Sequence, residues 1–257
     1  MRNEIVNENL IPLYGLIGIL ALIIVKVYNT AFKDGKFTCN RYILNTYLYI
    51  LLALIIISLQ NITMERQNVP VDSIFGIFGG GWAGVILLLV ISLGLLMFLL
   101  SINPHNVVLK HIVWLVFVLY LGLLAYPSYV QTIQENTVIV TLLTTIGILV
   151  AFSVIAFLKP EWISLSWGPI LCFFLLGGII GELCYYFFSK DRKVSGRSKA
   201  FSYFFIALFT LFILYDTKKI QVNAKNCKTK TVDYINESLG IVLDALNLFQ
   251  NVADVQN

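Results

Sequence analysis

Charge is what this chain has least of. Of its 257 residues only 12% are Asp, Glu, Lys or Arg, against 58% apolar, and the mean hydropathy is +0.84. A soluble domain carries roughly a quarter charged residues, so a water-soluble globule is excluded. Histidine is scarcer still: with His105 and His111 alone, a His-based catalytic group or multi-histidine metal site has too few members. There is no G-x-S-x-G, no H-E-x-x-H and no phosphate-cradling glycine loop, so no enzyme is expected. Cys39, Cys172, Cys184 and Cys227 show no C-x-x-C spacing and read as small core residues, two of them inside apolar runs. The N-terminus carries Arg2, Glu4 and Glu8 rather than a basic n-region, and no small-residue cleavage site follows. The first apolar run is therefore expected to be retained. A net charge of +4, lying in the connections, does not call for nucleic acid.

What the chain has instead is long apolar runs. Spanning takes about 20 apolar residues, from a rise of ~1.5 Å per residue across a ~30 Å hydrocarbon core. Eight runs approach that length: residues 10–29, 42–61, 82–102, 107–126, 138–158, 163–188, 200–220 and 235–252. They are too long and too uniformly apolar for barrel strands, which alternate over about ten residues. The fold class is therefore all-α, a polytopic membrane helical bundle. The eighth run is short and amphipathic and would span, re-enter or lie in the interface. The longest connection, 62–81, holds Pro70 and the run Gly79 to Gly81 and reads as a loop. No internal repeat supports a transporter of inverted halves.

Lysine and arginine in short connections set the orientation. Lys33, Lys36 and Arg41 make the first connection cytosolic, and the weakly basic second (Glu65, Arg66, Asp72) and fourth (Glu135) fall on the far side. Residues 217–230, with five lysines and no acid, are then cytosolic as well. The connection 190–199, with Lys190, Arg192, Lys193, Arg197 and Lys199, disagrees, because the count of spans places it on the far side. Asn61-Ile62-Thr63 is a glycosylation sequon on that far side, close to the membrane.

Two acids stand where hydrocarbon is expected. Asp216 closes the run 201–215 and Asp244 interrupts the run 239–249. A carboxylate in a bilayer costs several kcal/mol unless paired, protonated or wet, so it marks a functional site by default. If the seventh run ends near Ile220, Asp216 lies about 6 Å deep, and from Asn236 Asp244 lies about 12 Å deep. Two carboxylates within ~4 Å cannot both ionise cheaply in a low dielectric and would share a proton. Its loss would leave an anionic site that attracts Ca²⁺, which favours carboxylate oxygens. The bland alternative is that Asp216 snorkels and pairs with Lys219 while Asp244 lines a polar seam in a surface helix. Glu182, deep in 163–188, is a third acid. It either serves as a further pore acid or pairs with Lys110 or His111, which otherwise snorkel.

The flanking residues carry a resemblance. Ile213-Leu214-Tyr215-Asp216-Thr217, Asp233-Tyr234-Ile235 and Leu243-Asp244-Ala245-Leu246-Asn247-Leu248-Phe249 resemble the C-terminal signature of the Bax inhibitor-1 family, also called the transmembrane Bax inhibitor motif or lifeguard family. Asn103-Pro104-His105-Asn106 resembles the family's N-P-x-N element, and Trp167-Gly168-Pro169 with the helix before it resembles its next helix pair. The resemblance covers roughly residues 80–252. It implies a seven-helix core with one additional N-terminal helix, dividing the chain into 1–40 and 41–257. Leu100-Ser101-Ile102 stands where relatives often carry a basic residue, and Leu119 to Gly122 where many carry an acid.

The same resemblance implies an integral protein of endoplasmic reticulum or Golgi membranes that leaks Ca²⁺ and inhibits apoptosis. Asp216 and Asp244 would be the pH-sensing gate and a transient Ca²⁺ site, with Asp233 at the pore mouth. No cofactor is expected beyond Ca²⁺ as permeant ion; the bilayer, Ca²⁺ and protons are the expected partners. The alternative is a non-conducting protein that regulates cell death by binding membrane partners. A weaker one is an ion-coupled transporter using Glu182.

Overall fold

The computed structural model describes residues 11–77, 81–188, 199–229 and 231–256. Among them the chain is helical apart from one two-stranded ladder, as a polytopic helical membrane protein should be. The helices are α1 (Ile11–Ala31), α2 (Tyr42–Arg66), α3 (Val71–Ile77), α4 (Gly81–Ser101), α5 (Val107–Gln134), α6 (Val138–Leu158), α7 (Trp167–Phe188), α8 (Lys199–Lys225) and α9 (Tyr234–Gln256). Five described segments are long and apolar enough to cross a membrane: Leu13–Ala31, Tyr42–Arg66, Val107–Gln134, Val138–Leu158 and Lys199–Lys225. Shorter apolar stretches, Ile86–Ser101 and Trp167–Glu182, lie in α4 and α7. The basic connection 190–199 lies outside the described residues except for Lys199, as do Gly79, Gly80 and the N-terminal acids.

The chain divides into two compact units, Met1–Pro127 with Asn226–Ser238, and Ser128–Lys225 with Leu239–Asn257. In the first, α1 packs on α2 through a hairpin, β1 (Phe32–Lys33) and β2 (Lys36–Phe37). Its turn places Asp34 and Gly35 at φ 52° and 72°, the left-handed pair that a two-residue hairpin needs and that Asp-Gly supplies at least cost. Asn45, wholly buried on α2, fixes this corner: its amide donates to the Thr30 and Asn40 carbonyls at 3.1 and 2.8 Å. The second connection is not the plain loop expected. Helix α2 runs on to Arg66, and α3 fills much of the remainder. Asn61 of the sequon is therefore helical and only 4% exposed.

In the second unit α8 packs against α6 and α7. Phe205, Leu208, Phe209 and Ile213 of α8 close on Leu171 of α7 and Leu248 of α9. Lipid is as apolar as leucine, so close packing rather than water exclusion holds such helices together. Gly181 shows it: a Cβ there would stand 3.3 Å from the Phe201 ring. Helix α7 starts at Trp167, later than the expected run, after a 3-10 turn at Pro160–Trp162. Pro169 then sits in its first turn, where its missing N–H is harmless. Lys218 and Gln221 of α8 donate at 2.8 and 2.9 Å to the carbonyls of Pro160, in the 3-10 turn, and Ala156, in the last turn of α6, which helix geometry leaves open.

Helix α9 narrows the three outcomes open to the eighth run. No residue of it is exposed, so it is not an interfacial helix with a wet face. Its 23 residues reach roughly 34 Å, enough for a ~30 Å core. Of its polar residues Ser238, Asp244 and Asn251 are buried, and Asn236, Asn247 and Gln250 are half-buried.

Candidate functional site

Helix α8 runs five residues past the expected end at Ile220, to Lys225. That changes the depths. Asp216 lies nine residues from Lys225, roughly 13 Å, and Asp244 ten residues from Tyr234, roughly 15 Å. The mismatch between the two acids disappears without invoking tilt. Asp216 indeed reaches α9: a Cβ on Gly240 would lie 1.9 Å from its Oδ2. Gly240 is one turn before Asp244, so both acids meet the same stretch of α9. Asp244 is 5% exposed, and its Oδ2 is buried without a hydrogen-bond partner among the described residues. The surface-helix alternative for Asp244 is thereby overturned.

A polar seam that the sequence reading missed runs beside this pair. The buried face of α6 is Thr141, Thr145, Ser153 and Ala156, in a helix otherwise rich in branched apolar residues. Thr141 donates to Gln256 of α9 at 2.6 Å, and the Thr217 hydroxyl, next to Asp216, lies 3.5 Å from that of Ser153. The signal was available as hydroxyls four residues apart at 141 and 145, with Ser153 eight further on.

Glu182 is elsewhere. Gly181 lies against Phe201, and the fifteen residues from Phe201 to Asp216 cover roughly 22 Å of α8. Lys110 and His111, its suggested partners, are committed within the first unit, and neither snorkels. Lys110 is fully buried; its ammonium donates to the Ile102 carbonyl at 2.9 Å and forms an ion pair with Asp233. His111 is held between the Tyr49 hydroxyl and the Val107 carbonyl, each at 2.7 Å.

Asp233 thus has two structural duties. Besides Lys110, its Oδ1 accepts the Asn236 N–H at 3.0 Å, which makes it the N-cap of α9. The N-P-x-N element acts in the same way for α5. Asn103 Oδ1 accepts the His105 N–H at 2.9 Å, tightening the turn, and Asn106 Oδ1 faces the Leu109 N–H at 3.4 Å. The positive charge missing from Leu100-Ser101-Ile102 reaches that place through space, from Lys110.

A family model described as inhibitor of apoptosis-promoting Bax1 matches residues 39–255. The chain belongs to the Bax inhibitor-1 family. The matched residues include α8, all of α9 but Gln256, and both aspartates; α1 precedes them. Comparison with curated proteins and with solved structures gives no significant match. No group of three or more His, Cys, Asp or Glu converges among the described residues. Ca²⁺ takes six to eight oxygens. For such an ion the Bax inhibitor-1 carboxylates Asp216 and Asp244 offer at most four, which suits brief contact better than tight retention.

The two surface cysteine and disulfide assignments differ from the sequence reading. Cys39 and Cys227 form a disulfide, and Cys172 and Cys184 are exposed on α7 rather than buried.

Proposed function

We propose that this Bax inhibitor-1 family protein is a pH-sensitive, Ca²⁺-permeable leak channel of an intracellular membrane, endoplasmic reticulum or Golgi, that modulates Ca²⁺ homeostasis and inhibits apoptosis. Asp216 and Asp244 are its gate. The observation that carries this reading is the buried carboxylate of Asp244, with Asp216 laid against the same turn of α9. One proton between two such carboxylates staples α8 to α9; its loss leaves two like charges in a low dielectric, which drive the helices apart and attract a cation. The hydroxyls of Thr141, Thr145 and Ser153 supply polar lining in an otherwise apolar interior. Asp233 keeps the mouth position, but as a residue held by Lys110. Glu182, on α7 and next to the Gly181 that meets Phe201 of α8, serves as a separate pore acid away from the gate.

The test is Ca²⁺ flux into liposomes that hold the purified protein. The variant Asp244→Asn removes the shared proton while keeping the volume, and flux should then no longer vary with pH. Flux that varies with pH as in the unaltered protein would sink the assignment.

A second reading, a non-conducting protein that acts through membrane partners, is favoured by one observation. A buried ammonium, Lys110, stands at Asp233 and would oppose a cation there. Purified protein that passes no Ca²⁺ at any pH, yet protects cells from death, decides for that reading.

A further inference from the structure

Cys39 follows the β hairpin, and Cys227 lies in the connection between α8 and α9, 188 residues away in sequence. The bond therefore ties two distant connections of the first unit together. The residues on either side of Cys39 are gripped a second time. The Tyr234 hydroxyl donates to the Thr38 carbonyl and lies 3.4 Å from that of Asn40. Asn45 donates to the same hydroxyl at 3.3 Å, and the Phe37 ring meets the Tyr234 ring edge-on at 5.2 Å. Tyr234 is the first residue of α9 and adjoins Asp233, the N-cap that holds Lys110. Disulfide and tyrosine together clamp the start of α9 onto the first connection.

The bond is reachable. A cavity of about 380 Å³ opens beside it, with Cys39, Cys227, His105, Lys228, Thr229 and Thr231 among its walls. Cys227 is 4% exposed and Cys39 half-buried, so Cys39 is the more accessible partner. Lys228 is exposed at the rim, where its ammonium attracts an anionic attacker. Both connections carry the lysines and arginines that mark a cytosolic face. Cytosolic disulfides, where they occur, are usually transient and catalytic or redox-sensing.

We propose that Cys39 and Cys227 form a thiol–disulfide exchange site, whose reactants are dithiols and their disulfides, and whose closing latches the N-terminal end of α9. In the opening direction a dithiol thiolate attacks Cys39 Sγ, the protein S–S bond breaks, and Cys227 leaves as a thiolate that takes a proton. The second thiol of the reductant then attacks the mixed disulfide and releases Cys39. The protein gains two electrons and two protons, and the dithiol ends as its own disulfide. The reverse sequence closes the latch. The proposal is independent of whether the protein conducts.

The test uses the full chain in lipid nanodiscs, folded throughout, with dithiothreitol or its oxidised form added. After quenching and denaturation, a maleimide polymer counts free thiols by gel shift. Two labels, on Cys172 and Cys184, are expected in the closed state and four in the open one, with passage in both directions while the protein stays folded. Amide exchange in residues 32–41 and 226–238 should quicken on opening by on the order of tenfold or more, the lower end of what cross-linking a long loop contributes. The double variant Cys39→Ser, Cys227→Ser should show the open exchange rates and no response to dithiothreitol. Four labels that oxidised dithiothreitol never reduces to two would overturn the proposal. So would a bond that opens only on unfolding, or one that opens while exchange in those segments stays the same.

Discussion

Asp216 of α8 rests on Gly240 of α9 so closely that a methyl group at position 240 would stand 1.9 Å from its Oδ2. Glycine is what lets the carboxylate approach the turn that carries Asp244. Gly240→Ala forces Asp216 off that turn and should destabilise the protein by about 1–3 kcal/mol, the range for overpacking a close contact. Unfolding in mixed micelles measures it, and adding Asp216→Ala should recover most of the loss. A single variant as stable as the unaltered protein would mean that the two helices do not approach in this way.

Lys110 and Asp233 make a buried ion pair, with side-chain exposures of 0% and 13%. Removing one partner leaves the other charge uncompensated, so Lys110→Met should cost roughly 3–5 kcal/mol. The double variant Lys110→Met, Asp233→Asn removes both charges and should be markedly more stable than the single one. Asn at 233 keeps an N-capping oxygen, so the cycle reports the ion pair rather than the cap. Equal losses in single and double variants would show that the charges do not interact.

Thr141 donates to Gln256 on the buried face of α6, whereas Thr144 is exposed on the same helix. Thr141→Val should therefore lower stability by about 1 kcal/mol, a typical net hydrogen-bond contribution, and Thr144→Val should change little. Thermal unfolding of both variants compares the two faces directly. If Thr144→Val proves the more damaging, the assigned face of α6 is wrong.

Asn61 sits inside α2 at 4% exposure. A glycosylation acceptor has to be presented on an accessible surface segment. Expression in a glycosylating host should yield protein whose gel mobility does not change on treatment with an N-glycosidase. A mobility shift abolished by Asn61→Gln would show that α2 ends earlier.

Much of this was legible in the sequence because the bilayer is a severe solvent. Runs such as 107–126 and 138–158 announce helices through length and apolarity alone, and Asp216 and Asp244 stand out because ionisable groups there are costly. Partnerships across the chain were not legible. Lys110 looked like a snorkelling residue because nothing local pairs with it; its partner is Asp233, 123 residues on. Cys39 and Cys227 looked inert for the same reason, since a separation of 188 residues leaves no spacing pattern. The hairpin at Asp34-Gly35 was overlooked although its turn chemistry is local, and so was the hydroxyl face of α6.

The sequence by itself determined the helical membrane class and the two aspartate motifs, because hydropathy and motif are written in consecutive residues. The tertiary structure decided that no residue of α9 is exposed, that α8 extends to Lys225 with Asp216 against Gly240, and that Lys110 pairs with Asp233. Those outcomes depend on which helix faces meet. In a chain apolar nearly everywhere, helix faces differ too little in composition for the sequence to choose among them.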